Sequence, residues 1–334
     1  MRKILHLFIV SLLLISTSAS SSYAYWVWSP DIGKWVNPKK TAKDTPEEQL
    51  EWAMGFFTRQ EWDRAIEEFE KIPANFPNSK LAAEGVYYVG MCWEAKQDVA
   101  KAADAYQRLI DKYPYTDRIK DAIKHEFDIA NEFASGGKVK VLGIPALPGQ
   151  EKAIEIYKHI VKNAPYGSYG DQAQFKIAEV YKDQGEYEEA QKAYQAVVDE
   201  YPNSELVAQA KYQIGYVAMQ ASKKAHFNEQ YADRAIEGFQ SFKNNFPADE
   251  KSVEADEAIK ALRANKAATL MDTGDFYAKQ KKFKSARVYY QEITDKYGDT
   301  PQALDAKKKV DSMVQRENEP DKQSVFGWPK IKLW

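Results

Sequence analysis

The sequence has 334 residues, 44% of them hydrophobic and 29% charged, with 47 basic and 49 acidic side chains and a formal net charge of −2. That balance suits an ordinary soluble chain long enough for a sizeable core, and it argues against a nucleic-acid partner, because neutralising phosphates needs a basic surface. The one cysteine, Cys92, leaves no intramolecular disulfide to form.

Residues 1–24 read as a signal peptide. Arg2 and Lys3 supply a basic start, Ile4 to Ile15 is mostly apolar, and Ser22-Tyr23-Ala24 fits a small-x-small cleavage pattern. The apolar run is short of the roughly 20 residues that cross a bilayer. Export of a water-soluble chain is the expectation, with an uncleaved interfacial anchor as the alternative. A lipoprotein needs a cysteine at the cleavage point, and Cys92 is far downstream. Residues 25–45 form an aromatic N-terminal segment, in which two short aromatic and β-branched runs flank Ser29-Pro30-Asp31-Ile32-Gly33. This predicts a small hairpin.

From Pro46 onward the sequence repeats itself, the feature that decides architecture before any other. Phe76-Pro77, Tyr113-Pro114, Ala164-Pro165, Tyr201-Pro202, Phe246-Pro247 and Tyr297-Gly298 each close a unit. Twelve residues before the Pro or Gly stands Ala65, Ala102, Ala153, Ala190, Ala235 or Ala286. Eight before it stands Phe69, Tyr106, Tyr157, Tyr194, Phe239 or Tyr290. Spaced by four, the small residue and the aromatic share one helical face, and the Pro ends the helix for want of a backbone donor. A preceding helix is marked by Ala53 with Phe56, Gly90 with Trp93, Ala178 with Tyr181 and Gly274 with Tyr277. Unit three carries an insertion, Ser135 to Gln150, and unit five a shorter one around Ser222 to Tyr231; both predict surface loops. The first helix of unit six is unusually long, roughly Ser252 to Lys279. Residues 317–334 form an aromatic C-terminal tail ending Phe326-Gly327-Trp328-Pro329-Lys330-Ile331-Lys332-Leu333-Trp334, suited either to capping a repeat stack or to docking on a partner.

No constellation for catalysis, cofactor or metal is found. The histidines are His6, His125, His159 and His226, without metal spacing. Cys92 beside Gly90 and Trp93 reads as a small core residue. No phosphate loop, dinucleotide fingerprint or nucleophile elbow occurs. The carboxylates fall beside lysines, as in Glu186, Glu188 and Glu189 with Lys192, in the manner of a solvated helix face. A non-enzymatic protein without cofactors is expected.

The repeat units resemble the tetratricopeptide repeat, which implies an all-α solenoid of about six helical hairpins. In that pattern the residue three before the small position of the first helix faces a binding groove. Here those residues are Leu50, Tyr87, Phe127, Phe175, Tyr212 and Met271, with Met54, Met91, Tyr216 and Met219 about one turn on. An accessible apolar stripe of this kind suits binding of varied peptides; tight packing that buries the same residues is the alternative.

From Gln150 to Val310 the chain resembles the BamD-type subunit of the outer-membrane β-barrel assembly machinery. The residues that carry the resemblance are Ala164-Pro165-Tyr166-Gly167-Ser168-Tyr169 with Gln172, Ala232-Asp233-Arg234-Ala235, Phe239-Gln240-Ser241-Phe242, Gly274-Asp275-Phe276-Tyr277 and Phe283-Lys284-Ser285-Ala286. Repeats one and two, within 46–117, look like additions in front of BamD-like repeats three to six, within 118–316. The resemblance implies a periplasmic adaptor at the inner face of the outer membrane. Its partners would be the β-barrel assembly machinery and unfolded outer-membrane proteins. The second helix of unit six, with Lys284, Arg287, Tyr289 and Glu292, would dock to the machinery. The chain departs from the family in lacking an N-terminal lipid-anchor cysteine and in carrying Val288-Tyr289 where Asn-Arg is common. Related repeat proteins act as cell-envelope scaffolds coordinating peptidoglycan or division machinery, which is the alternative function.

Overall fold

A computed structural model describes residues 26–318, apart from 30–32, 38–40, 142–143 and 226–227. The signal-peptide reading, His6, His226 and nearly all of the C-terminal tail lie outside the described residues. The chain forms two compact bodies that divide between Ile119 and Lys120.

The first body opens on a two-stranded antiparallel hairpin, β1 (Val27–Ser29) and β2 (Lys34–Val36), as the turn residues predict. Gly33 supplies the turn's left-handed backbone, φ +61°. Four helices follow: α1 (Pro46–Thr58), α2 (Trp62–Asn75), α3 (Leu81–Ala95) and α4 (Val99–Lys112). Helix α1 starts where Thr45 Oγ1 accepts the Glu48 N–H at 3.2 Å and Pro46 occupies the first turn. Ala53, Phe56, Ala65, Phe69, Ile72, Val89, Cys92 and Ala105 form the core.

The second body holds α5 (Ile119–Ala134), β3 (Lys138–Val141), β4 (Ile144–Pro148), α6 (Gln150–Asn163), α7 (Gly170–Gln184), α8 (Tyr187–Glu200), α9 (Val207–Lys224), α10 (Glu229–Asn245), α11 (Lys251–Lys279), α12 (Phe283–Lys296) and α13 (Ala303–Asn318). Among the described residues, twelve of the thirteen helices pair into six tetratricopeptide-type hairpins, so the all-α solenoid expected from the repeat is the observed fold. Two details differ. The insertion in unit three is a β-hairpin, with Val139 opposite Leu147 and Lys138 opposite Pro148; Val-rich and Pro-flanked strands of this length pair with each other because neither can extend a helix. And α13 follows the last unit, beyond what the repeat spacing predicts. It covers the apolar edge of α12 with Ala306 and Met313, both buried.

Two turns recur. Within units one, two, four and six the first helix ends in a left-handed residue, Gln60, Gln97, Gly185 or Lys281. The next N–H then reaches back across the turn, as in Asp98 to Trp93 O at 2.9 Å and Lys282 to Tyr277 O at 3.0 Å. Between units the closing residue's N–H bonds back to the helix, as in Tyr113 to Leu109 O and Tyr201 to Val197 O. The residue three on then bonds to the closing residue's carbonyl. The Pro that follows the closing residue prevents further helix.

Candidate functional site

The small residues of the first helices are seats for aromatic rings. A Cβ on Gly90 would stand 2.5 Å from Tyr106 Cε1, on Gly215 2.8 Å from Phe239 Cδ1, and on Gly274 2.4 Å from Tyr290 Cε1. The periodic aromatics Phe69, Tyr106, Tyr157, Tyr194, Phe239 and Tyr290 are all fully buried or nearly so. In two hairpins the residue following the small one takes the phenol. Tyr157 Oη donates to Asn131 Oδ1 at 2.7 Å, and Tyr290 Oη to Asp275 Oδ1 at 2.5 Å. Asp275 also accepts from Lys309 Nζ of α13 at 2.6 Å. Partial burial opposes its ionisation, but the Lys309 and Tyr290 hydrogen bonds hold its carboxyl below the usual range. This network ties the last helix to the last hairpin.

This packing corrects the predicted groove. Tyr87, Phe127, Phe175 and Tyr212 are buried, with exposures between 4% and 7%. Their rings meet those of the second helices: Tyr87 lies 5.9 Å from Tyr106, Phe127 5.8 Å from Tyr157, Phe175 5.2 Å from Tyr194 and Tyr212 5.6 Å from Phe239. A side chain wedged between the two helices of its own hairpin is unavailable to a ligand, and the reason is the smallness of the neighbouring Gly or Ala, which draws the helices together. The remaining groove residues, Leu50, Met54, Met91, Tyr216 and Met271, are half-buried. Leu50, Met54, Tyr216 and Met271 pack on the margins of the cores.

What lies open beside α5 and α7 is polar. A hollow of about 460 Å³ is lined by Asn131, Glu132, Ala134, Ser135, Lys176, Glu179, Val180 and Asp183. Lys176 Nζ is paired with Glu179 Oε2 at 2.7 Å, so the hollow keeps an acidic surplus. Nothing in the hydrophobic periodicity marks it, because its residues are the solvated faces of two helices.

The predicted docking residues divide. Lys284 is exposed. Arg287 Nε is bound to Glu317 Oε1 at 2.8 Å, Tyr289 is stacked on Tyr277 with 5.4 Å between centroids and 6° between planes, and Glu292 holds Lys296. Accessible apolar residues of this hairpin that the spacing did not single out are Phe276 at 57% exposure and Val288 at 61%, with Val253 at the far end of α11. Nothing in the spacing sets them apart from buried apolar residues of the same helices; the packing does.

Cys92 is fully buried, and burial pushes its thiol up to about 12. His159 Nδ1 lies 3.1 Å from Glu126 Oε1 as part of the packing of α6 on α5. Among the described residues no group of three or more His, Cys, Asp or Glu is placed to hold a metal, and no helix is long and apolar enough to cross a membrane.

Comparison with known families finds two matches. Residues 149–324, just over half of the chain, match the family described as YfiO, outer membrane lipoprotein, and residues 50–116 match the tetratricopeptide repeat. No curated protein matches the chain. Solved structures similar to it include MamA from Desulfovibrio magneticus RS-1, at 12% identity over 61% of this chain and 98% of that one, TM-score 0.29. YrrB, a tetratricopeptide protein with an unusual peptide-binding site, matches at 14% identity over 64% of this chain and 92% of that one, TM-score 0.32. PilW, a type IV pilus biogenesis factor, matches at 10% identity over 82% of this chain and 100% of that one, TM-score 0.28.

Proposed function

Because this chain belongs to the YfiO outer membrane lipoprotein family, we propose that it is a non-enzymatic adaptor of outer-membrane β-barrel assembly, working at the periplasmic face of that membrane. The family match over α6 to α13 carries the reading, and the exposed apolar residues of the last hairpin support it. In this reading α11 and α12 dock to the assembly machinery through Phe276 and Val288, flanked by Lys284 and the Tyr277–Tyr289 stack. Arg287 and Glu292 shape that face from their ion pairs. Segments of unfolded outer-membrane proteins are held along the first helices by the half-buried Leu50, Met54, Met91, Tyr216 and Met271. The acidic hollow between α5 and α7 accepts polar parts of the same chains. Repeats one and two, in the first body, are additional to the repeats that the family match covers. Most of the binding energy would come from a few well-desolvated apolar anchors.

Photo-crosslinking residues at Phe276 and Val288, introduced into the exported protein in cells, test the reading. Crosslinks to the β-barrel assembly protein, lost in a Val288→Asp variant that keeps its helicity, are expected. Crosslinks only to peptidoglycan or division proteins would move the chain to a scaffold role in the envelope and overturn the adaptor reading.

A further inference from the structure

The turn between α11 and α12 reverses the charge carried by the matching turns of other units. In units one, two and four the left-handed residue is followed by an acid, Glu61, Asp98 or Glu186, which opens the second helix. An acid there suits the positive end of the helix dipole. Two of the three also hold bases, Arg59 and Arg64 for Glu61 and Lys101 for Asp98. In unit six the residue after Lys281 is Lys282, and residues 279–287 contain five bases and no acid. Of the surrounding acids, Asp275 holds Lys309, Glu292 holds Lys296 and Glu317 holds Arg287. Lys279, Lys281, Lys282 and Lys284 are exposed. None of the four forms an ion pair among the described residues, and Lys282 Nζ only stands 5.8 Å over the Tyr277 ring. Four unanswered ammonium groups at the helix end that repels them cost the fold stability.

The same end of the hairpin carries its exposed Phe276 and Val288. Phe276 is three residues before Lys279 and Val288 four after Lys284, spacings that put each pair on one helix face. Each of the two also stands one residue before a member of the Tyr277–Tyr289 stack. An apolar centre rimmed by bases of one sign fits a partner surface of the opposite sign. We infer that the surface this hairpin meets is an acidic protein surface, whose carboxylates face Lys279, Lys281, Lys282 and Lys284 around Phe276 and Val288. The inference rests on the adaptor reading, which makes that partner the β-barrel assembly machinery, and adds the sign of the partner's charge. Rim lysines act chiefly on the encounter: their field steers an acidic partner in, and salt screens it.

Stopped-flow association of the purified exported protein with the detergent-solubilised, full-length β-barrel assembly protein tests it. Between about 50 and about 500 mM salt the association rate should fall about tenfold or more. The K279Q/K281Q/K282Q/K284Q variant should associate at low salt about as slowly as the parent does at high salt, with unchanged circular dichroism. Glutamine suits the left-handed position, which Gln60 and Gln97 already occupy in units one and two. Association of the parent that ignores salt, or a quadruple variant that keeps the parent's rate, would overturn the inference and leave the adaptor reading standing. Flotation of the parent on phosphatidylglycerol vesicles that the quadruple variant loses, with protein association unchanged, would assign the lysines to lipid and overturn it as well. No association at any salt concentration would overturn the adaptor reading, and this inference with it.

Discussion

Gly274 on α11 lies against the ring of Tyr290 on α12 so closely that a Cβ on the glycine would stand 2.4 Å from Cε1. The contact recurs at Gly90 with Tyr106 and, in the second body, at Gly215 with Phe239. It sets the separation of the two helices in each hairpin. Overfilling it forces ring or backbone to move, at about 1–3 kcal/mol. Gly274→Ala should therefore destabilise by that amount in chemical unfolding. Gly55→Ala, in α1 with nothing nearer than Arg59 Nη1 at 3.6 Å, should be neutral or stabilising by up to about 1 kcal/mol.

The phenols of the repeat aromatics are not equivalent. Tyr290 and Tyr157 have acceptors in Asp275 and Asn131. Tyr194 is as deeply buried, and its hydroxyl has no partner among the described residues; the residue in the matching position, Glu179, is engaged by Lys176. Tyr290→Phe and Tyr157→Phe should each cost about 1 kcal/mol, because each removes a hydrogen bond of a buried phenol to a polar acceptor. Tyr194→Phe should be neutral or stabilising. The ordering of melting temperatures across the three variants checks this.

Gln97 sits at φ +58° after α3, in the place that Gly185 takes after α7 with φ +75°. A side chain in the left-handed region carries a steric cost that glycine avoids. Gln97→Gly should stabilise the first body by about 0.5–1 kcal/mol, and Gly185→Ala should destabilise the second by a similar amount. Urea midpoints at constant slope would show both.

Asp275 links α11, α12 and α13, and its folded-state pKa is depressed. A depressed carboxyl contributes stability at pH values above its unfolded pKa, about 4, and loses that contribution as pH falls through the lower folded value. Asp275→Asn should therefore destabilise at pH 7, by about 1 kcal/mol given its partial exposure and screening. The difference from the parent protein should close as pH falls through the acid range. Unfolding measured at a series of pH values tests it, and a difference independent of pH would contradict the assignment.

Phe175 is 4% exposed against Tyr194, whereas Met271 is only half-buried at the margin of its core. Phe175→Ala should cost about 3–5 kcal/mol of stability, the penalty for emptying an aromatic site. Met271→Ser should leave the fold largely intact and weaken capture of an unfolded outer-membrane protein. Paired measurement of melting temperature and pull-down yield separates packing from recognition.

The fold was legible because its determinants are local. The Ala and aromatic spaced by four, the Pro that ends each second helix and the length of α11 all follow from helical periodicity and backbone chemistry within about thirty residues. The β1–β2 hairpin was legible for the same reason: its turn residues and the short aromatic and β-branched runs that flank them lie within a dozen positions. The family was legible because the order of turns and inserted segments from Ala164 to Ala286 is itself a local text. What tertiary structure alone decided is which apolar residues remain available. Tyr87, Phe127, Phe175 and Tyr212 stand at positions that periodicity cannot distinguish from a binding stripe, and only the approach of the second helix over Gly90, Ala130, Ala178 and Gly215 buries them. Conversely, Phe276 and Val288 are apolar residues that the packing leaves outside, and Trp26, Trp28 and Trp35 are gathered on one exposed face by strand pairing. Burial is a property of what lies across from a side chain, and that neighbour belongs to another helix or strand.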